Sequence, residues 1–230
     1  MMKLYQFAAS PFCDKIRRVL RVKKVPFDVQ EWPLTEIGTI SEKNPAGKLP
    51  ILEIDGKCLG DSTDIALEIE RRHPAPPLLP AAATERAQVL ALEDWADESL
   101  YFYEMATRFG DEDFDKNVGK LLPGMPAEMR AQIAPMIKES LQSTALHQGT
   151  ARRPPEKMTA DVDRLFGAIE DMQAKTGFVV GSALSLADIA IVCQAECIGD
   201  STIGGQVLKR RPALAAYFRR IDELTSSDRV

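Results

Sequence analysis

The fold of this chain is decided by one stretch near its start, residues 5–20, which reads YQFAASPFCDKIRRVL. Its opening residues predict a short buried strand, and a tight turn then leads into a helix. Ser10 stands at the N-cap of that helix and Pro11 at its first position, where a missing N–H costs nothing. Because the first turn of a helix presents unpaired N–H groups and the positive end of the dipole, an anion such as a thiolate is stabilised there.

The helix that follows has an amphipathic pattern. Its apolar side is formed by Ile16, Val19 and Leu20, which recur at helical spacing. The other side is charged and carries Asp14, Lys15, Arg17, Arg18 and Arg21. The periodicity predicts that this helix extends to about residue 24 and packs its apolar side against the neighbouring strands.

Short strand patterns and turn signals continue through the first third of the chain. The predicted strands cover residues 4–7, 25–32, 49–54 and 57–59. Asp55-Gly56 is a strong hairpin signal, and Asp61 with Ser62 caps a further predicted helix. The order strand, helix, strand, irregular or helical link, strand, strand, helix predicts a parallel pair followed by an antiparallel pair. This pattern is that of a thioredoxin-like domain over residues 1–76.

The remainder of the chain has a different pattern. Four prolines between residues 74 and 80 predict a semi-rigid linker at 77–83. The part that follows, residues 84–230, has helical periodicity, which predicts an all-helical bundle. The expected helices cover residues 84–109, 127–147, 156–175 and 189–197 and a segment after Pro212, with an irregular acidic stretch at 111–126 and a kink or break at Pro135.

Composition and charge exclude several classes of protein. The 230 residues are 45% apolar and 27% charged, which is typical of a globular protein with a sizeable core. No run of about 18 apolar residues occurs, which excludes a membrane-spanning helix. A net charge of −5 without a basic stripe argues against nucleic acid as a partner. Four cysteines and no signal-peptide pattern predict reduced thiols and a cytoplasmic location.

Four short motifs, taken in order, resemble those of the soluble glutathione transferases (GSTs). They are Ser10-Pro11-Phe12-Cys13 after the first strand, Leu49-Pro50 at the third, Asp61-Ser62 before a helix, and Ser185-x-x-Asp188 in the helical region. The resemblance spans nearly the whole chain and implies the GST fold, in which the thioredoxin-like domain holds glutathione and the helical domain supplies the pocket for a second substrate. The Ser-Pro-Phe motif is similar to the serine-type classes, tau in particular and also zeta. It also resembles glutaredoxin, omega and dehydroascorbate-reductase motifs, which have cysteine in place of Ser10.

Ser10 is the candidate catalytic residue. A glutathione thiol must lose its proton to become a good nucleophile, and a helix N-terminus lowers a thiol pKa toward roughly 3.5–7.5. The Ser10 hydroxyl can donate its proton to that thiolate while its oxygen accepts an N–H of the first turn. A role limited to capping the helix is the alternative.

The resemblance assigns further residues to glutathione binding. Asp61 would face the ammonium of the γ-glutamyl group, where the family more usually has Glu or Gln, and Ser62 would take the carboxylate. The backbone of Leu49, which precedes Pro50, would pair with the cysteinyl part of the tripeptide. The remaining candidates beside the peptide are Phe12 and Lys48.

The cysteines suggest one redox candidate and no metal site. Cys13 could act as a nucleophile at the helix N-terminus, although a small packed thiol is the alternative. Cys193 and Cys197 stand four residues apart on one helical face, but no Cys or His pair lies near them in the sequence. We therefore predict that they pack in the core and that the protein binds no metal.

The pocket for the second substrate is expected between Ser10 and the long helix that opens the second region. The candidate residues, which could equally belong to the core or to a dimer face, are Tyr101, Tyr103, Met105 and Arg108. The residues themselves do not identify the substrate.

Three functions follow from these observations. The leading one is a detoxifying, homodimeric glutathione S-transferase that adds the glutathione thiolate to a small electrophile. The second is a glutathione-dependent thiol transferase that uses Cys13. The third is a non-catalytic binding protein with the same fold, since residues 147–153 also resemble the metaxin and failed-axon-connections relatives.

Overall fold

The computed structural model describes residues 1–122 and 124–228, apart from the side chains of residues 34 and 35. Its first part alternates strands and helices. The elements are β1 (Met2–Gln6), α1 (Pro11–Val22), β2 (Phe27–Glu31), a 3₁₀ segment (Leu34–Glu42), β3 (Ile51–Ile54), β4 (Lys57–Gly60) and α2 (Ser62–Arg72). The order matches the prediction, with bounds that differ by one or two residues.

One four-stranded sheet organises this part, in the order β2-β1-β3-β4. β1 runs parallel to β2 and antiparallel to β3, and β3 pairs with β4 as an antiparallel hairpin. The hairpin turns at Asp55 and Gly56, whose φ angles of 52° and 77° are the left-handed conformations that such a turn requires. The Leu49–Pro50 bond that leads into β3 is cis. The predicted thioredoxin-like arrangement is therefore confirmed.

The second part is helical. Its elements are α3 (Ala83–Trp95), a π-helical turn (Ala96–Leu100), α4 (Tyr101–Arg108), α5 (Phe114–Leu121), α6 (Ala127–Gln148), a 3₁₀ turn (Thr150–Arg152), α7 (Pro155–Gln173), α8 (Leu186–Gly199), α9 (Thr202–Lys209) and α10 (Pro212–Thr225). The motif formed by Ser185 and Asp188 is a capping box at the start of α8, because the Ser185 hydroxyl accepts the Asp188 N–H and the Asp188 carboxylate accepts the Ser185 N–H. No helix of the described residues is long and apolar enough to cross a bilayer.

The helix expected at 84–109 is present as α3 and α4, which the π-helical turn joins without a break. Two other expectations about the helices need correction. The stretch expected to be irregular contains α5, because Phe114 and Val118 are buried in a cluster with Phe109 and their packing stabilises a short helix. The helix around Pro135 is not broken: Ala131 and Pro135 are both exposed, so the carbonyl that loses its N–H partner lies on the solvent side.

Helix α1 lies in the interior and is covered on both sides. Its apolar residues, among them Ile16 and Leu20, belong to one core that continues from Leu4 of the sheet to Ile189 of α8. Its charged side is also buried, since most of it faces α3, α8 and α10 rather than solvent. Arg18, for example, forms ion pairs with residues of α1, α8 and α10, which are Asp14, Glu196 and Asp222. Burial of these charges is tolerated because each is paired.

Candidate functional site

The loop between β1 and α1 places Ser10 at the start of the buried helix. Ser10 has extended φ and ψ angles of −80° and 126°, and its Oγ accepts the Cys13 N–H at 3.4 Å. Its own N–H donates to the Phe7 carbonyl at 3.0 Å. Pro11 occupies the first helical position, as expected from the sequence. The serine is partly exposed, so its hydroxyl can cap the helix and still meet a ligand.

The backbone just before Ser10 is held from three directions. The Ala8 N–H donates to Glu31 Oε2 at 3.1 Å, and the Ala8 carbonyl accepts from Arg17 Nη2 at 3.2 Å. The Ala9 carbonyl accepts from Arg108 Nη1 at 3.1 Å. The sequence did not predict these anchors. Arg17 stood only on the charged side of α1, and Arg108 was expected at the second-substrate pocket rather than at a backbone carbonyl.

Cys13 is enclosed by protein. Its side chain is 0% exposed, and burial raises the pKa of its thiol to about 11, against hydrogen bonds from Ser10 and the Phe7 backbone that lower it. A thiol in that state is protonated at neutral pH and out of reach of a second molecule. The geometry therefore favours the packing interpretation of Cys13 over the redox one.

The other two cysteines considered for a metal site are also buried. Cys193 and Cys197 lie on α8, with Cys193 Sγ 3.6 Å from the Asp14 carboxylate. Within residues 1–122 and 124–228, no group of three or more His, Cys, Asp or Glu side chains is arranged to hold a metal.

The predicted motif at the start of α2 forms a cap. Asp61 adopts a left-handed conformation, with φ of 74°, and its carboxylate accepts the N–H groups of Thr63 and Asp64 at 2.9 and 3.1 Å. Asp61 is exposed, whereas Ser62 is buried and donates from Oγ to Asp97 Oδ2 at 3.2 Å. The two residues thus lie side by side at a helix N-terminus, where a carboxylate ligand is stabilised.

A buried charge network extends from Ser62 into the helical part. Lys15 Nζ lies 2.6 Å from Glu93 Oε1 and 2.5 Å from Asp97 Oδ2, and the Thr63 hydroxyl donates to Glu93 Oε1 at 2.8 Å. The net pKa of Asp97 is raised to about 6. Burial is the main cause and the charge of Glu93 adds to it, whereas Lys15 and Ser62 lower the pKa. Burial opposes the charge of Lys15, but the two carboxylates hold the pKa of Lys15 above its ordinary value. The only sequence signal for this network is the i, i+4 spacing of Glu93 and Asp97.

The remaining candidates for peptide binding surround the same loop and sheet edge. Leu49 is partly buried and packs in a small cluster with Trp32, and Pro50 is buried. Lys48 is exposed, and its carbonyl accepts from Asn44 Nδ2 at 2.8 Å. The side chain of Leu49 thus belongs to a packed cluster, and that of Lys48 is free to reach solvent.

The candidates for the second-substrate pocket separate into two groups. Tyr101 is partly exposed and stacks edge to face with Phe12 at 5.1 Å between ring centroids, which brings two candidate residues together. Met105 and Arg108 are 3% and 1% exposed. Tyr103 is buried as well and receives a hydrogen bond from Arg153. These three side chains serve the core rather than an open pocket, which corrects the expectation for Met105 and Arg108.

An open cavity of about 270 Å³ lies beside the β1–α1 loop, and neither Tyr101 nor Phe12 is among its lining residues. Residues 7–9 form one wall, and the others come from the end of β2 with the residues after it and from α5 with the residues after it. Apolar side chains such as Phe7, Trp32 and Met125 line most of it, with Glu31 and Lys120 as its charged residues. Its composition and size suit a small, mainly apolar molecule.

Two protein-family models match this chain. The family model described as "Glutathione S-transferase, N-terminal domain" matches residues 4–77. The family model described as "Glutathione S-transferase, C-terminal domain" matches residues 125–224.

Relatives and a solved structure agree with these matches. The chain is 29% identical over 194 residues to "Uncharacterized GST-like protein YibF" of Escherichia coli (strain K12), an alignment that covers 84% of this chain and 79% of that protein. It is 25% identical over 226 residues to "Glutathione S-transferase" of Pseudomonas putida, covering 97% and 88%. The structure of a glutathione S-transferase from Rhodospirillum rubrum F11 has a TM-score of 0.68 at 22% identity, covering 96% of this chain and 88% of the other. That likeness shows the fold.

Proposed function

This chain belongs to the glutathione S-transferase superfamily, and on that premise we propose that it conjugates glutathione to a small electrophile, with Ser10 stabilising the thiolate. The family uses glutathione as a substrate, so a transferase-type enzyme is the expected class. The observation that carries the proposal is the position of Ser10. It is a partly exposed hydroxyl at the N-terminus of a buried helix, while the neighbouring thiol of Cys13 is enclosed.

The proposed chemistry needs little beyond positioning and electrostatics. The glutathione thiol loses its proton to solvent, and the thiolate is stabilised by the hydroxyl of Ser10 and by the dipole of α1. The sulfur then forms a bond to the electrophilic carbon with its own electron pair. In a substitution, a leaving group departs with the electron pair of the bond that breaks. In an addition to a double bond, the displaced π pair takes up a proton from water. Orientation and thiolate stabilisation supply the rate enhancement.

We propose that the tripeptide lies across the β1–α1 loop and the start of α2. Support comes from Asp61, whose exposed carboxylate can reach an ammonium group, and from Ser62, which begins α2 and offers a helix N-terminus to a carboxylate. The backbone of Leu49 before Pro50 would pair with the cysteinyl part. The side chains beside the peptide would be Phe12 and Lys48.

We propose that the electrophile lies in the 270 Å³ cavity, at its wall formed by residues 7–9, and that the Phe12–Tyr101 ring pair lies near the sulfur end of the site. The mainly apolar lining favours an apolar electrophile. The division into residues 1–76, a linker at 77–83 and residues 84–230 also remains a proposal, as do a cytoplasmic location, a homodimer and a role in detoxification.

The proposed function is tested with the purified full chain. Retention on immobilised glutathione, with elution by free glutathione, measures binding, and conjugation of a generic aromatic electrophile measures catalysis. We expect both in the wild type. Binding without conjugation of a panel of electrophiles would favour a non-catalytic binding protein. Disulfide exchange with glutathione that is lost in Cys13→Ala would favour the thiol transferase and contradict the assignment to Ser10.

A further inference from the structure

Two successive carbonyls before Ser10 are each held by a buried arginine. Arg17 of α1 binds the Ala8 carbonyl, and Arg108 of α4 binds the Ala9 carbonyl. The arginines are 2% and 1% exposed. A hydrogen bond from a charged donor is stronger than a neutral one, and a buried carbonyl without a partner is costly, so both contacts stabilise one loop conformation.

The Ala9–Ser10 peptide group is fixed at both of its polar ends. Arg108 Nη1 holds its oxygen at 3.1 Å, and the Phe7 carbonyl accepts its N–H at 3.0 Å. Because a peptide group is planar, two contacts on opposite edges fix its rotation. The direction of the Ser10 side chain follows from that rotation and from the helical turn that begins at Pro11.

Arg108 is itself held in place by three helices. Its Nη1 lies 2.9 Å from Glu104 Oε1 on α4 and 3.4 Å from Cys197 Sγ on α8. Its backbone carbonyl accepts from Asn117 Nδ2 of α5 at 3.0 Å. The contact from Asn117 fixes the backbone of Arg108, and the contacts of Nη1 with Glu104 and Cys197 restrict its guanidinium, which therefore serves as a reference point for the Ala9 carbonyl.

We propose that Arg108 is a positioning residue that sets the orientation of Ser10 from the helical part of the protein. It touches neither the thiolate nor the electrophile and acts only through the Ala9–Ser10 peptide. The inference rests on the proposed function, because the orientation of Ser10 matters through its distance from the glutathione sulfur. Displacement of a catalytic group by about 1 Å can cost roughly 100-fold in rate.

The test uses a double variant, Arg108→Met with Glu104→Gln, which removes both charges of the pair and avoids leaving a buried carboxylate beside a missing cation. The matched control is Arg211→Met with Glu170→Gln, which removes an ion pair of the same type between α7 and the start of α10. If the double variant does not fold, Arg108→Lys replaces it. Lysine keeps the charge beside Glu104, but its shorter side chain does not reach the Ala9 carbonyl.

Three measurements read the effect. Hydrogen exchange at the Ser10 amide should accelerate by about tenfold or more relative to amides of α8. The pKa of the bound glutathione thiol, followed by thiolate absorbance in the ultraviolet, should rise, and kcat/KM should fall roughly 10- to 100-fold. The Kd for glutathione should change by less than about threefold, since the peptide-binding residues are untouched. The control variant should leave the Ser10 exchange rate, the thiol pKa and kcat/KM unchanged.

The outcomes separate the two proposals. Unchanged Ser10 exchange and an unchanged thiol pKa in a folded Arg108 variant would overturn the positioning role, whatever the activity. Equal changes in the control variant would assign the effect to general destabilisation and also overturn it. If the wild type neither binds nor conjugates glutathione, the proposed function fails. The exchange measurement would then still decide whether Arg108 holds the loop.

Discussion

Ser62 Oγ donates a hydrogen bond of 3.2 Å to Asp97 Oδ2, which ties the start of α2 to the π-helical turn after α3. The same carboxylate group binds Lys15 of α1, so one buried aspartate joins three elements. A ligand at the N-terminus of α2 would therefore lie next to Ser62, whose hydroxyl proton is already donated to the buried Asp97.

The stability of the protein should depend on Asp97 in a defined pH window. Burial raises the pKa of Asp97 to about 6, above the value of about 4 expected in the unfolded chain. The folded protein thus binds this proton more tightly, and the contribution of Asp97 to the free energy of unfolding falls as the pH rises from about 4 to about 6. Asp97→Asn removes that dependence. As the pH rises from about 4 to about 6, the wild type should therefore lose stability relative to the variant. Denaturant titrations at a series of pH values measure it.

Asp94 provides the control for this experiment. It is exposed on the same helix, and Asp94→Asn should leave the pH dependence of unfolding as in the wild type. Parallel stability curves for wild type and Asp97→Asn between about pH 4 and about pH 6 would show that Asp97 does not titrate there.

Ser10→Ala should reduce kcat/KM for conjugation by roughly 100-fold, the cost of removing one well-placed donor to a developing anion. The affinity for glutathione should change little, because the proposed binding mode gives the hydroxyl no contact with the tripeptide other than the sulfur. The pH at which conjugation reaches half its maximum should rise, since the thiolate loses its hydrogen bond. Steady-state kinetics over a pH series measure both effects.

The loss of the helix cap must be separated from the loss of the donor. Ser201 caps α9 in the same way, accepting the Gly204 N–H at 2.9 Å, so Ser201→Ala is a matched control. Each variant should lose about 1 kcal/mol of stability. Only Ser10→Ala should lose activity, and an equal loss in both would remove Ser10 from the mechanism.

Cys13→Ala should keep conjugation near the wild-type level, because the thiol is enclosed and protonated. A disulfide reagent should label the native protein rapidly at Cys58, the one exposed cysteine among the four. Cys58→Ser should therefore abolish the fast phase of labelling, and Cys13→Ala should not change it. Fast labelling that persists in Cys58→Ser and disappears when Cys13→Ala is added to Cys58→Ser would mean that Cys13 is accessible.

Local signals in the sequence were sufficient for the strand order, the hairpin and the Ser10 cap. Each depends on residues within a few positions of one another, such as Pro11 after Ser10 or Gly56 after Asp55. The contact between Arg108 and the Ala9 carbonyl could not be predicted this way, because it joins residues 99 positions apart. The Ser10 cap is thus predictable from the sequence, whereas the distant arginine that holds the preceding carbonyl is not.

The charged side of α1 shows a second limit of sequence patterns. An amphipathic pattern ordinarily means that the charged side faces solvent. Here α8 and α10 cover it, and Arg17 and Arg18 are buried in ion pairs. Asp113, the acidic residue just before α5, shows the same limit: its carboxylate accepts the Thr202 N–H at 2.8 Å, a tertiary contact that makes it part of the packed structure.

Lys15→Met should be the most destabilising single change in the network around Ser62. Lys15 is the cation paired with Glu93 and Asp97, so its loss leaves two carboxylates buried together, at a cost of about 3–5 kcal/mol. Glu93 Oε2 and Asp97 Oδ1 have no hydrogen-bond partner in the part of the chain that the structure describes, so the network is only partly satisfied. The triple variant Lys15→Met, Glu93→Gln, Asp97→Asn, which removes every charge, should therefore recover most of the loss. Denaturant unfolding at neutral pH measures the free energy of unfolding of both variants. A triple variant no more stable than Lys15→Met would show that packing of the Lys15 side chain, rather than charge balance, determines the loss of stability.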